Sequence, residues 1–144
     1  MNDKARIAAE EYFGNFNCTQ SVIAMFAEDY GLDKETALRM GAGFGGGCQF
    51  GGTCGAVTGG VMAISLKHGN SVTDKAVYAK CREKTREFMN IFNDKYESTY
   101  CSELLGIDME DEGGRDRARA MGLFDTQCRE YVSFVVATLE ELGY

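Results

Sequence analysis

Not one of the 144 residues is proline, and apolar residues recur at intervals of three and four along the whole chain. Proline removes a backbone donor and crowds the preceding turn, so its absence leaves long helices unopposed. Residues 3–13 place Ile7, Ala8, Tyr12 and Phe13 on one face and stop at Gly14. Asn17 stands where a cap would open a second helix, which would bury Val22, Ile23, Met25, Phe26 and Tyr30 before Gly31. Asp33 caps a third, KETALRMGAGF, that dissolves into glycines. Thr53 is expected to cap a fourth from Cys54 to about Lys67, with Val57, Val61, Met62, Ile64 and Leu66 as its apolar residues. Ser71 or Thr73 opens the longest helix, where Ser71-Val72-Thr73-Asp74 matches a capping box with Asp in the Glu position. That helix reaches about Lys95. Ser98 opens a short one closed by Gly106, and Asp125 caps a last one ending near Leu142. Only Val132–Val136 has strand-like composition, and its setting is helical. The spacing predicts an all-α fold, a compact bundle of six or seven helices with a glycine-rich loop before a glycine-striped helix. Neither a linker nor an internal repeat interrupts it, so residues 1–144 are expected to form a single helical domain.

A content of 44% hydrophobic and 26% charged residues is that of a soluble globular chain. No apolar run approaches the roughly 20 residues of a membrane helix, so no membrane association is expected. The segment MNDKARIAAEEYF lacks the apolar core of a secretory signal, and the expected location is cytoplasmic. A net charge of −7 with no basic patch argues against nucleic acid as a partner. Arg115, Arg117 and Arg119 are offset by Asp108, Glu110, Asp111, Glu112 and Asp116, which reads as a solvated loop or helix start.

The stretch FGGGCQFGGTCGAVTGG, residues 44–60, invites a phosphate-binding reading. Gly41-Ala42-Gly43-Phe44-Gly45-Gly46 has the G-x-G-x-x-G spacing, but that spacing carries meaning only between a buried strand and a helix. Here a helical pattern precedes it, and no Lys-Ser or Lys-Thr follows to make a Walker loop. The later glycines suit packing instead. Gly55, Ala56, Gly59, Gly60 and Ala63 recur at three and four residues, and glycine costs roughly 1 kcal/mol against alanine inside a helix. A close contact must offset that cost, either with another helix or with a bound group. Gly55, Ala56 and Gly59 are the candidates to face such a group.

Six cysteines are many for a cytosolic chain, and clustered thiols there suggest metal or redox chemistry before structural disulfides. Taken singly, each is as readily a small buried hydrophobe. Their positions add weight. Cys18 follows Asn17, Cys54 follows Thr53, Cys101 lies three after Ser98, and Cys128 three after Asp125, so all four fall in the first turn of an expected helix. Unpaired amides and the positive end of the helix dipole stabilise a thiolate there. Cys81 sits mid-helix at a packing position. Cys48, in the glycine loop, has C-x5-C spacing to Cys54 and an open role. No C-x-x-C, zinc-knuckle or ferredoxin run occurs. His68, the only histidine, ends a helix beside Gly69 and reads as a partner of its C-terminal dipole. Tyr96, Tyr100 and Tyr131 read as core or interface.

At this point the motifs FNCTQSVIAMF, AGFGGG, GGTCGAVTGG, STYCSELLG and CREYVSFVVATLEEL resemble the family of redox-active proteins labelled C-GCAxxG-C-C, over about residues 5–142. The resemblance assigns the family cysteines to Cys18, Cys54, Cys101 and Cys128, with the CGAxxG element at Cys54–Gly59. Cys48 and Cys81 fall outside the label. Members of the family are often encoded near oxidoreductases or transporters, and some carry export signals. The family is also similar to the protein part of split-Soret cytochromes, which hold haem and an iron–sulfur centre. This chain has no C-x-x-C-H, so covalent haem is not implied.

Together these readings give a small redox protein, an oxidoreductase or an electron-transfer component, whose four first-turn cysteines converge on one site. That site either binds an iron–sulfur cluster or other thiolate-bound metal, or cycles between dithiol and disulfide. The sequence leans to metal, since four thiolates at separate helix ends suit one cation. The partner would be another oxidoreductase, and a homodimer is compatible with a glycine-striped helix. The alternative is a non-catalytic interaction or sensor module with structural buried cysteines.

Overall fold

In a computed structural model, residues 3–144 are described, and among them the elements are helical. The chain opens with α1 (Asp3–Arg6), which widens into a π-helical segment at Ile7–Tyr12. There the amide of Phe13 reaches back five residues to the Ala8 carbonyl at 2.9 Å. The neighbouring carbonyl of Ala9 accepts from the Arg129 guanidinium instead, tying this segment to the last helix. Next come α2 (Cys18–Ile23), a 3₁₀ turn at Glu28–Tyr30 and α3 (Lys34–Gly41). Asn17 caps α2 as expected, in a reciprocal box with Gln20, and its side-chain amide also donates to the Gly41 and Ala42 carbonyls. One residue thus starts α2 and fastens the end of α3 to it.

The fourth helix, α4 (Gly55–His68), is the centre of the molecule. Across residues 55–64 it is small or apolar on nearly every side, the pattern of a helix surrounded by protein, with Ser65 and Lys67 exposed at its far end, and it packs against α2, α5 (Lys75–Tyr96) and α8 (Arg129–Glu141). The glycines of α4 do not form one stripe. A methyl group at Gly59 would meet Val22 Cβ at 2.9 Å on the α2 side, whereas one at Gly60 would meet Phe88 Cζ at 2.7 Å on the α5 side. Adjacent residues on a helix point about 100° apart, so two neighbours each admit a different helix.

The remaining helices are α6 (Cys101–Leu105) and α7 (Gly114–Ala120), followed by a second π-helical turn at Phe124–Cys128 that runs into α8. Asp74 caps α5 through the amides of Ala76 and Val77, so the expected box at Ser71–Asp74 gives way to a start one residue beyond it. Phe88 and Phe92 of α5 are fully buried, with Val132, Val135, Val136 and Leu139 of α8. The strand-like run at Val132–Val136 is helical because it supplies the inner face of α8.

Candidate functional site

Four cysteines from four segments line one cavity of about 480 Å³. The route that brings each of them there is different. Cys18 is the first residue of α2, behind the Asn17 cap. Cys54 and Cys101 are joined by a bridge between Thr53 and Tyr100. The Cys54 amide donates to the Thr99 carbonyl at 2.7 Å, and the Cys101 amide to the Gly52 carbonyl at 2.7 Å. Side chains alternate sides along extended backbone, so Cys54 and Cys101 share the face opposite Tyr100. Tyr100 is exposed while both cysteines are buried. Cys54 is itself the N-cap of α4, one residue later than the Thr53 start expected from sequence.

Cys128 departs from the expected pattern. Asp125 does not cap α8: the chain is already helical at Leu123, and the Cys128 amide bonds the Leu123 carbonyl five residues back at 3.0 Å. Cys128 therefore lies inside a continuous helical run rather than in a first turn. Cys48 is exposed and Cys81 half-buried, and neither lines the cavity.

Cys18 is set against Gly55. The sulfur occupies the space a Cβ at Gly55 would fill, and Thr19 Oγ1 donates to the Gly55 carbonyl at 2.8 Å. Of the three residues expected to face a bound group, Gly55 lines the cavity. Ala56 and Gly59 are buried, Gly59 against Thr19 and Val22 of α2.

Backbone amides do face two of the sulfurs, those of Thr19 at the start of α2 and Gly46 of the glycine loop at Cys18, and those of Val57 and Ala56 at Cys54. Their pull is outweighed. Burial, reinforced by the neighbouring thiol of Cys18, pushes Cys54 from an ordinary 9.0 up to about 12 and Cys101 up to about 11. Burial raises Cys18 as well, and Cys128 rises through burial and the other three sulfurs. The first-turn rule gives the wrong sign because desolvation of a thiolate exceeds what two partial dipoles return. At neutral pH the four thiols are protonated.

This has a consequence for stability. A thiol whose pKa is higher folded than unfolded contributes stability that is complete below the unfolded value and lost as pH climbs toward the folded one. The urea midpoint, followed by circular dichroism, is expected to fall as pH rises from about 9 towards the folded values of about 11 and about 12 at Cys101 and Cys54. The fall should be shallower in a Cys54→Ala variant, and equal slopes would contradict the assignment.

The rest of the lining was not legible as a site. The glycine loop enters through a left-handed turn, with φ of 63° at Gly46, 65° at Gly47, 57° at Cys48 and 60° at Gln49. Non-glycine residues cost roughly 1–2 kcal/mol each in that region, and the turn places Gly46 and Gln49 in the wall. Arg115 and Arg119, read from sequence as part of a solvated segment, extend from α7 to the cavity rim. Their spacing of four along a helix was the available signal. Phe13, Phe16 and Phe124 add apolar wall. Tyr131 also lines it, held by the Leu104 carbonyl at 3.4 Å and Gln127 Oε1 at 3.3 Å. His68 packs edge-to-face on Tyr144, and burial with Lys67, Lys80 and Lys84 lowers its pKa, which weakens it as a dipole partner.

Four thiols are suitable donors for a thiolate-bound metal. As arranged, however, no three His, Cys, Asp or Glu side chains among the described residues stand together as ligands of one ion. Among the same residues, no helix is long and apolar enough to cross a membrane.

The fold and site define a class: an all-helical fold with free cysteines lining a partly open cavity. Within it, the chain belongs to the family described as Putative redox-active protein (C_GCAxxG_C_C), whose model matches residues 16–142. No curated protein and no solved structure matches the chain.

Proposed function

We propose that the four cavity cysteines form one thiol-based redox centre that takes up and releases electron pairs by dithiol–disulfide exchange, with Cys18 and Cys54 as the first pair to close. The observation that carries this reading is the position of the Cys18 sulfur against Gly55, the residue next to Cys54. After burial, the neighbouring Cys18 sulfur is the largest cause raising the Cys54 pKa. Cys101 and Cys128 stand on the same cavity and would receive the disulfide by exchange. Because the reduced thiols are protonated, protons leave with the electrons, so the midpoint potential falls as pH rises.

A metal or iron–sulfur centre is the second reading, supported by the number and chemistry of the thiols. It requires the cysteines to close in from their present arrangement. Anaerobic purification, metal analysis and thiol titration separate the two in a protein with Cys48→Ser and Cys81→Ser. Dithiol chemistry predicts little metal and a reversible loss of two thiols on mild oxidation, abolished by Cys18→Ser. Stoichiometric iron with visible absorption would overturn it in favour of a cluster. Inert thiols, with Cys54→Ser changing stability alone, would leave a structural module.

A further inference from the structure

The cavity carries a charge pattern that the cysteines do not account for. In a chain of net charge −7, the charged side chains of the lining are Arg115, Arg119 and Asp125. Asp125 is engaged by the Arg129 guanidinium at 3.2 Å. Arg115 has no carboxylate partner among the described residues; its Nη1 donates to Gln49 Oε1, 3.1 Å away on the left-handed turn. Arg119 meets Asp116 at 3.6 Å, with both side chains well exposed, a type of pair worth at most about 1 kcal/mol and readily exchanged. Both guanidiniums lie over the ring of Phe124, at 5.9 and 5.7 Å from its centroid. A cationic ligand would find this ring already occupied by cations. An anion would find two guanidinium forks held in place beside it.

The volume narrows the class. About 480 Å³ is in the range of sites for small organic molecules and far larger than an inorganic ion needs. Phe13 and Phe16 add apolar surface for a ligand body to the same lining.

We propose that the chamber takes a small organic disulfide bearing a carboxylate, which Arg115 and Arg119 hold while the cavity cysteines reduce it. This rests on the dithiol reading above. One cavity thiol loses its proton and attacks a sulfur of the bound disulfide. The ligand's S–S bond breaks, and its other half departs as a thiolate that takes up a proton. A second cavity thiol then loses its proton and attacks the protein sulfur of this mixed disulfide, which closes a protein disulfide and releases the half still attached; that half takes up the proton and leaves as a thiol. Two cysteine thiols lose two protons and two electrons, and the ligand disulfide gains them as two thiols.

The test compares two reagents on the reduced full chain carrying Cys48→Ser and Cys81→Ser. Dithiobis(nitrobenzoate) bears a carboxylate on each half, and dithiodipyridine is neutral near pH 7. Arg115→Gln with Arg119→Gln is expected to slow the anionic reagent by about tenfold, as loss of local steering charge does. The neutral reagent should be almost unaffected. Arg115→Lys with Arg119→Lys should retain most of the anionic rate, and the advantage should shrink with added salt. Equal slowing of both reagents, or of neither, overturns the anionic substrate. A separate readout addresses the underlying chemistry. Mass analysis after dithiodipyridine should show a protein lighter by two hydrogens. A lasting mixed disulfide instead would overturn the dithiol reading, whatever the charge comparison gives.

Discussion

Gly55→Ala is expected to destabilise the protein by about 3 kcal/mol, the upper end of what an added methyl group typically costs in a packed interior. The new Cβ would fall on the Cys18 sulfur and within 2.6 Å of Thr19 Oγ1 and 3.2 Å of the Phe44 carbonyl. Relief requires α2 to move from α4, which stretches the buried bond from Thr19 to the Gly55 carbonyl. Leaving such a group unpaired costs about 1–3 kcal/mol. The gain in helix propensity, about 1 kcal/mol at most, is already taken into account. Urea denaturation measures the loss, with Gly43→Ala as control, since nothing lies within 4 Å of a Cβ there. In a Cys18→Ala background the cost should shrink, and the size of the coupling reports how much of it the sulfur causes. The same substitution should slow closure of the Cys18–Cys54 disulfide. An additive, small effect would place Cys18 away from Gly55 in solution.

Phe92→Ala is expected to cost about 4 kcal/mol, in the range for deleting a fully buried aromatic ring. Phe92 is 0% exposed. Its ring centroid lies 4.8 Å from Tyr96, 5.9 Å from Tyr131 and 6.0 Å from Phe134. These aromatic contacts hold α5 on α8 and support the cavity wall at Tyr131. Total stabilities of roughly 5–15 kcal/mol leave little margin after such a loss, so the variant should melt at much lower temperature. Phe50→Ala, at a ring 62% exposed, should be nearly neutral. A mild effect at Phe92 would mean that the interior collapses around the missing ring.

Most helices were legible because their signals are local. Asn17 and Asp33 cap α2 and α3 through bonds spanning three residues, and Gly14, Gly31 and Gly106 take positive φ at the stops. The π-helical turns were not legible. One frees the Ala9 carbonyl for Arg129, a residue 120 positions away, and no local pattern encodes such a partner. Cys128 was misplaced because the second π-helical turn starts the helical run ahead of it, so Asp125 lies inside that run and accepts from Arg129 instead of capping α8.

The sequence by itself determined most of the helical elements, their order and the four cysteines of the family motif, because periodicity, caps and motifs are properties of neighbouring residues. Only the tertiary structure decided what surrounds those thiols. It joined Cys54 to Cys101 through a two-bond bridge, set Cys18 against Gly55, and carried Arg115 and Arg119 from an acidic surface segment to the cavity rim. It also reversed the sign of the cysteine shifts. A helix terminus acts through one or two nearby amides, whereas burial removes water from every side at once, and how much water a sulfur loses depends on elements distant in the chain.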